Sequence, residues 1–290
     1  MRGCCYALLA TAIWSGFIIV SRAGGTSVLT PFDTAALRFG TALLILLPIW
    51  WRQRRPRQLF SRPVLLFAVF GGVAYALLVY GAFKYAPATH AAILLPGVMP
   101  FTIAFFAWWL LGERLNRARQ TGLLFIAIGT ACLGWDTFRH DQIAWLGDVL
   151  FLAAALCWGY YTILIRCQPI TPWEATVGGA IVAAVLYLPV YLLFLPKAIS
   201  AAPWHVLLLQ SAYQGVLAII IAMLLYMRAV TLIGPSGMGA FMALVPAIAG
   251  FAAVPLLGES VSLPLAIGLL LVSAGAYFGT RNQRAAVIPD

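Results

Sequence analysis

Long apolar stretches, separated by short segments that carry charges or prolines, run through almost all of this 290-residue chain. A helix that crosses a lipid bilayer needs about 20 mostly apolar residues, and most of these stretches have that length. Strands of a membrane barrel would instead alternate apolar and polar residues in runs of about ten, and no such alternation occurs. Since 63% of the residues are hydrophobic and only 9% are charged, an ordinary water-exposed surface is excluded. The sequence therefore predicts an all-α membrane protein.

The charged and proline-rich breaks divide the chain into ten predicted spans. They cover residues 4–21, 33–51, 64–83, 89–111, 119–135, 144–165, 175–195, 205–227, 235–257 and 263–280. We do not interpret the first span as a cleaved secretion signal, because it has a counterpart later in the chain. The connections are short, so no separate soluble domain is expected.

Basic residues in the connections predict how the spans are oriented. If both termini lie in the cytoplasm, 13 basic residues fall on the cytoplasmic side and 4 on the outside. This bias follows the rule that cytoplasmic connections are rich in Lys and Arg. The net charge of +10 therefore reports topology rather than nucleic-acid binding. We predict a multi-pass protein of the inner cell membrane with both termini in the cytoplasm.

A sequence repeat relates the two halves of the chain. Leu110–Glu113, with the sequence Leu-Leu-Gly-Glu, returns as Leu256–Glu259, 146 positions later. Five spans per half is an odd number, so the second half must be inverted in the membrane, as in many secondary transporters. The predicted repeats are residues 1–140 and 141–290. Other matched pairs are Tyr80 and Tyr226, Pro100 and Pro246, Gly122 and Gly268, Gly129 and Gly275, Trp14 and Trp158, Arg22 and Arg166, Pro31 and Pro172, and Asp33 and Glu174.

The order of these short motifs resembles the EamA-type branch of the drug/metabolite transporter superfamily. The motifs are Trp14 in span 1, Arg38-Phe39 in span 2, and the mid-span Pro100 followed by Leu-Leu-Gly-Glu-Arg, and a similar series returns from Trp158 onward. The resemblance implies a ten-helix carrier that exports amino acids or related metabolites, with helices 1, 3, 4, 6, 8 and 9 around a central cavity. One departure is Trp14-Ser15-Gly16-Phe17, where such proteins often carry Trp-Gly, a small residue and Asn.

Prolines at mid-span are candidate hinges for alternating access. Pro100 frees the carbonyl of Pro96, and Pro246 frees that of Met242, because proline has no N–H to donate to the carbonyl four residues earlier. Irregular backbone at membrane depth either lines a cavity or is repaired by a neighbouring helix. The candidate hinge residues are Pro96, Gly97, Pro100 and Pro246.

A few aromatic and polar side chains within the spans are candidates to bind substrate. Trp14 and Trp158 lie deeper than the interfacial belt that Trp prefers, so they either form aromatic walls across the cavity or pack between helices. Tyr and Gln in lipid need a partner, which is either cavity water or another helix. His90 either titrates near neutral pH or is simply hydrated. The candidate substrate-binding residues are Trp14, Ser15, Tyr75, Tyr80, His90, Met99, Trp158, Tyr213, Gln214 and Met238.

Three arginines lie within or at the ends of spans. Arg22 and Arg166 either clamp a substrate carboxylate or extend toward the membrane surface. Arg38 lies inside span 2, where a charge is functional or orients a helix, and Asp33 is its nearest carboxylate in the sequence.

The two glutamates of the repeated motif are predicted to be structural. Glu113 and Glu259 each lie between two helices, where a carboxylate complements the positive N-terminus of the next helix. The matched glycines are predicted to let helices approach closely.

The distribution of acidic residues narrows the function. No carboxylate lies at mid-membrane, which disfavours proton-driven export of cations. Exchangers of sugar phosphates or nucleotide sugars need several basic residues in the cavity, which this chain lacks, and a multidrug exporter is the other alternative within transport. The sequence therefore favours export of neutral, aromatic or hydrophobic amino acids.

An intramembrane serine protease is a remote alternative. Gly234–Gly237 fits the Gly-x-Ser-Gly pattern of rhomboid-type proteases, but all three histidines precede Ser236, so we expect no enzyme. No cofactor or metal is expected. The predicted partners are a small-molecule substrate and the lipid bilayer, with no nucleic acid and a monomer as the expected state.

Overall fold

The computed structural model describes residues 2–52, 59–113, 117–140, 143–168 and 171–280. Within these residues the regular structure is helical and contains no strand. We number the segments α1 (Arg2–Gly25), α2 (Pro31–Arg52), α3 (Arg62–Ala82), α4 (Ala88–Leu111), α5 (Arg117–His140), α6 (Ala144–Arg166), α7 (Pro172–Phe194), α8 (Trp204–Gly234), α9 (Gly237–Leu257) and α10 (Leu263–Thr280). Several arginines of the predicted topology lie outside the described residues, namely Arg54, Arg55, Arg57, Arg114, Arg281 and Arg284.

Most of these helices are able to cross a membrane. In the described part of the chain, 8 helices are long and apolar enough to do so, and they are α1–α4 and α6–α9. The other two, α5 and α10, contain shorter apolar stretches, Gln120–Leu133 and Leu263–Phe278. The prediction of an all-α fold with several membrane-crossing helices is confirmed.

Two capping boxes begin matched helices in the two halves. At the start of α2, Thr30 N–H donates to Asp33 Oδ2 at 2.8 Å and Asp33 N–H donates back to Thr30 Oγ1 at 3.0 Å. At the start of α7, Thr171 and Glu174 form the same reciprocal pair, at 3.1 and 3.2 Å. Each box satisfies amide groups that a helix N-terminus leaves free. The matched sequence thus produces matched helix starts.

The repeated Leu-Leu-Gly-Glu motif ends α4 and α9. Gly112 and Gly258 adopt left-handed backbone conformations, with φ of 67° and 69°, which favour glycine. The following amides turn back, so that Glu113 N–H donates to Ala107 O at 3.2 Å and Glu259 N–H to Ala253 O at 3.4 Å. The motif is therefore a helix stop that also fixes where each glutamate side chain begins.

The helices of the two halves interleave. Among the described residues, α1 packs against α8 and α9, and α6 packs against α3 and α4. The helices α2 and α7 pack together, as do α5 and α10. The large hydrophobic core therefore draws its side chains from both halves of the chain.

Glycines bring α5 and α10 into direct backbone contact. A Cβ atom built on Gly129 would lie 2.8 Å from Gly268 O, and one built on Gly275 would lie 2.6 Å from Gly122 O. No side chain larger than hydrogen fits at those positions without moving a helix. The predicted close approach of the matched glycines is confirmed.

Three helices contain irregular backbone. The segments Phe67–Val73 of α3 and Ser211–Ile221 of α8 are π-helical. Gly234, with φ 76° and ψ 165°, separates α8 from α9, and a turn at Ala243–Leu244 interrupts α9 just before Pro246.

The prolines of α4, by contrast, do not interrupt it. The helix runs from Ala88 to Leu111 through Pro96 and Pro100. Because the two prolines are four residues apart, both lost hydrogen bonds lie on one face and the other face stays intact. The gating role of Pro96, Gly97, Pro100 and Pro246 stays a prediction.

Candidate functional site

A buried hydrogen-bond chain links α2, α3 and α8. Arg38 Nη1 donates to the Tyr80 hydroxyl at 3.3 Å, and that hydroxyl donates to Gln214 Oε1 at 3.1 Å. Tyr80 is only 2% exposed and Gln214 is completely buried. The structure therefore brings together two predicted site residues, and it adds Arg38 to them.

This hydrogen-bond chain continues through Gln214 to residues of α1. Gln214 Nε2 donates to Ser21 Oγ at 3.0 Å and to Gln210 Oε1 at 3.3 Å, while Gln210 Nε2 donates to Val20 O at 2.8 Å. Buried amides in lipid need such partners. Of the two alternatives for Tyr80 and Gln214, the structure shows hydrogen bonding between helices.

Arg38 has no carboxylate partner in the part of the chain that the structure describes. Its guanidinium carbon lies 5.6 Å from the centre of the Phe17 ring on α1, which is a cation–π distance. Asp33, its nearest carboxylate in the sequence, accepts hydrogen bonds from the Tyr191 hydroxyl at 2.6 Å and from Ala198 N at 3.0 Å. Asp33 is therefore occupied by α7 and the segment after it rather than by Arg38.

The two predicted tryptophans each pack on a tyrosine from the other half of the chain. Trp158 of α6 lies 5.0 Å from Tyr75 of α3, and Trp14 of α1 lies 5.5 Å from Tyr226 of α8, measured between ring centres. All four rings are at least partly buried. Trp14 and Trp158 belong to two separate aromatic clusters and do not stack on each other.

The π segment of α8 positions a second predicted residue, Tyr213. Its hydroxyl donates to Ile13 O of α1 at 3.0 Å. The absence of a side chain at Gly16 leaves room for that hydroxyl. The neighbouring Ser15 is buried, and its Oγ has no hydrogen-bond partner among the described residues. An unpaired hydroxyl in this position is able to bind a polar group that enters the site.

His90 is buried rather than hydrated. It is 4% exposed, and its Nδ1 lies 2.9 Å from Asp148 Oδ1 of α6. The interpretation that His90 is simply hydrated at a helix end is wrong, because α6 covers it.

The two predicted methionines lie in different cores. Met238 is completely buried in a small cluster between α1, α8 and α9 that also contains Trp14 and Tyr226. Met99 is partly buried against the large core, and its carbonyl accepts a hydrogen bond from Thr102 at 2.9 Å. Thr102 also donates to Ala155 O of α6 at 2.8 Å, a link that no sequence pattern indicated.

Arg22 and Glu259 form a largely buried ion pair between α1 and the end of α9. Arg22 Nε lies 3.4 Å from Glu259 Oε1, and the side chains are 20% and 10% exposed. Glu259 also accepts the amide hydrogens of Ala88 at 2.8 Å and Thr89 at 3.1 Å. The prediction that Glu259 complements the next helix, α10, is therefore wrong, because the carboxylate caps α4.

The matched residues Arg166 and Glu113 form the equivalent ion pair. Their nitrogen and oxygen atoms approach to 2.6 and 3.3 Å in a bidentate arrangement, and the side chains are 46% and 36% exposed. Arg22 and Arg166 were expected either to clamp substrate or to extend toward the membrane surface. Both instead bind glutamates of the repeated motif.

The described residues contain no group of three His, Cys, Asp or Glu side chains that could hold a metal ion. The side chains of the candidate site offer hydroxyl, amide and guanidinium groups next to aromatic rings. Such groups bind and orient a ligand, and they do not form a nucleophile–base pair.

Comparison with known proteins finds two relatives and one solved structure with a similar fold. The chain is 26% identical to a probable amino-acid metabolite efflux pump of Salmonella typhimurium, over 97% of this chain and 96% of that protein. It is also 26% identical to the aromatic amino acid exporter YddG of Ancylobacter novellus, over 65% of this chain and 66% of that protein. The structure of this chain also superposes on a solved crystal structure with a TM-score of 0.63 and 22% identity. The match covers 96% of this chain and 96% of that one, which shows a shared fold.

The model of the EamA-like transporter family matches this chain over residues 1–135 and 145–281. These matches confirm the family that the order of short motifs predicted. They also agree with the apolar helices and with a site built for binding rather than catalysis. The chain belongs to the EamA-like transporter family and is a multi-pass membrane transporter, not an enzyme.

Proposed function

We propose that this protein exports neutral amino acids with aromatic or hydrophobic side chains across the inner membrane by alternating access. The observation that carries the proposal is the pair of matched tryptophans, Trp14 and Trp158, each packed on a tyrosine of the other half. Partly buried aromatic rings provide stacking surface for an apolar or aromatic side chain. Met238 belongs to the same small cluster as Trp14, and Met99 packs against the large core that contains Tyr75 and Trp158, so each ring pair shares its core with a flexible apolar side chain.

The relatives support this substrate class. One is named a probable amino-acid metabolite efflux pump and another an aromatic amino acid exporter. Because identity to each is only 26%, their names favour export of a metabolite, and the aromatic site narrows the proposal to apolar amino acids.

We further propose ten membrane spans, arranged as two inverted five-helix repeats around a central cavity, with both termini in the cytoplasm. The repeats are residues 1–140 and 141–290, and the two separate family matches support this division. The matched capping boxes, glycine contacts and Arg–Glu pairs also support it, since each occurs once in either half or joins equivalent positions.

Transport into proteoliposomes tests the substrate class. Labelled neutral, aromatic and charged amino acids, sugar phosphates and a cationic dye are offered to the purified protein. We expect uptake of aromatic and large apolar amino acids. Exchange of sugar phosphates without movement of amino acids would contradict the proposal, and uptake of the dye alone would indicate a multidrug exporter.

Tryptophan variants test the site. We expect Trp14→Ala and Trp158→Ala to reduce uptake strongly, because each removes one aromatic surface. Elution in size-exclusion chromatography checks that each variant stays folded. Trp204→Ala is the matched control, since that side chain is 75% exposed at the start of α8. Full activity in both site variants would exclude these residues from the site.

A further inference from the structure

We infer that Arg38 binds the carboxylate of the transported substrate and thereby selects substrates that carry one. This inference rests on the proposed function and adds a specificity-determining residue to it. Arg38 lies seven residues after the start of α2 at Pro31, which places its Cα about 10 Å into the helix. It is an arginine inside a span, whereas Arg22 and Arg166 lie at span ends and already bind glutamates.

The guanidinium keeps most of its hydrogen-bond donors available. An arginine side chain has five N–H donors, and the one described hydrogen bond runs from Nη1 to the Tyr80 hydroxyl. Nε and Nη2, which form the edge of the guanidinium that binds a carboxylate in bidentate fashion, have no described acceptor. Arg38 is only partly buried, so the protein does not enclose it completely.

A charge at this depth needs compensation. Moving a guanidinium out of water is costly, and charges within spans usually pair with an opposite charge or face a water-filled cavity. In the described chain, the Phe17 ring and the Tyr80 hydroxyl are its contacts, and neither carries a negative charge. A substrate carboxylate would supply the missing charge when it binds.

The second half of the chain shows that the architecture does not need this arginine. The capping boxes of α2 and α7 align Thr30 with Thr171, and the same spacing aligns Arg38 with Gly179. Gly179 in turn packs against Phe67 without any charge. Gln214 likewise matches Ala68 at the spacing of 146 that relates the two glutamates. The polar network is therefore an addition to one half, as expected for a site that recognises an asymmetric ligand.

The surroundings of Arg38 favour an aromatic or apolar carboxylate over a phosphate. Tyr75 lies on α3, five residues before Tyr80, whose hydroxyl contacts Arg38. Tyr75 packs against Trp158 with tilted rings whose centres are 5.0 Å apart, and Arg38 itself lies 5.6 Å from the centre of the Phe17 ring, so aromatic side chains surround this part of the network. A doubly charged phosphate would require further basic residues, and in the described part of the chain no other lysine or arginine contacts this network.

A pair of probes with and without a carboxylate tests the inference. Uptake of labelled L-tryptophan and L-tryptophanamide is compared in proteoliposomes of the wild-type protein, Arg38→Gln and Arg38→Lys. We expect the wild type to prefer tryptophan. In Arg38→Gln the preference should fall roughly 10- to 100-fold, as expected for the loss of a hydrogen-bonded charge pair. The preference of Arg38→Lys for tryptophan should lie between those of the wild type and Arg38→Gln, because lysine keeps the charge but not the planar donor edge.

Arg228→Gln is the matched control, because it removes the same charge from an exposed position on α8. Its preference should equal that of the wild type. If Arg38→Gln loses uptake of both probes equally, or if it folds and keeps the wild-type preference for tryptophan, the inference is overturned. If Arg38→Gln does not fold, an unchanged preference in Arg38→Lys overturns it. A wild type that moves neither probe overturns the proposed function itself, and the inference with it.

Discussion

A glycine in α1 determines where a tyrosine of α8 can lie. The Tyr213 hydroxyl reaches the Ile13 carbonyl by passing over Gly16, at the place a Cβ atom would occupy. The contact joins the first and second halves of the chain beside the candidate site. Gly16 also stands in the part of α1 that departs from the usual family pattern.

Gly16→Ala should therefore destabilise the protein by about 1–3 kcal/mol, because the added methyl displaces Tyr213 and breaks its hydrogen bond. Thermal unfolding in detergent measures the change. Gly40→Ala is the control, since a Cβ atom at that helical position meets nothing within 4 Å. Equal melting temperatures for the two variants would contradict the packing described for Tyr213.

The sequence predicted some residues of the candidate site and missed the connection between them. Tyr80 and Gln214 were recognisable because a polar side chain within an apolar span needs a partner. The hydrogen bonds that link Arg38 to Tyr80 and Tyr80 to Gln214 were not recognisable, because they depend on three helices meeting. Asp33 is the carboxylate nearest to Arg38 in the sequence, but it binds Tyr191, which is 158 positions away. Pairings across such separations are set by packing and leave no local pattern.

At the level of helices, charges and prolines predicted the boundaries well. Span 4, predicted as 89–111, is observed as Ala88–Leu111, because a proline precedes it and a left-handed glycine ends it. The π segments of α3 and α8 had no such signal. The one in α8 contains Tyr213 and Gln214, neighbours that both bind α1. A π segment alters which side chains face a partner, so these contacts depend on backbone geometry that composition does not specify.

The two ion pairs of the repeated motif differ in burial, so we expect them to differ in energy. Glu259→Gln should lower the stability of the protein by about 1–3 kcal/mol, because a buried carboxylate that binds Arg22 and the first amides of α4 loses its charge. Glu113→Gln removes a more exposed pair, for which about 0–1 kcal/mol is expected.

Melting temperatures of the two glutamine variants, measured side by side in the same detergent, check this order. Wild-type protein is the reference, and Glu113→Gln is the matched control because it has the same motif and the same substitution. A larger drop in melting temperature for Glu113→Gln than for Glu259→Gln would show that burial does not determine the strength of these ion pairs.

The two halves interleave so fully that neither has a closed core of its own. Helix α1 packs on α8 and α9, α6 packs on α3 and α4, and α2 packs on α7. The repeat was visible in the sequence, but this exchange of partners was not, because matched motifs show relatedness and not contact. The proposed repeats are therefore units of sequence rather than units of folding.

Expression of the two proposed repeats as separate chains, 1–140 and 141–290, tests this conclusion. Each chain alone should aggregate or be degraded, because its apolar faces lack their partners. Both together should assemble and restore uptake, as the contacts between them are numerous and non-covalent. Detection of the co-purified pair by size-exclusion chromatography provides the measurement. A single half that folds alone would refute the interleaved core.

The backbone contact between α5 and α10 also limits how this protein can change during evolution. A substitution in an ordinary core is often rescued by a smaller residue opposite, but here the obstacle to a side chain at Gly129 includes the main-chain oxygen of Gly268. Main-chain atoms cannot be made smaller by mutation. Second-site suppressors of Gly129→Leu should therefore not arise at Gly268.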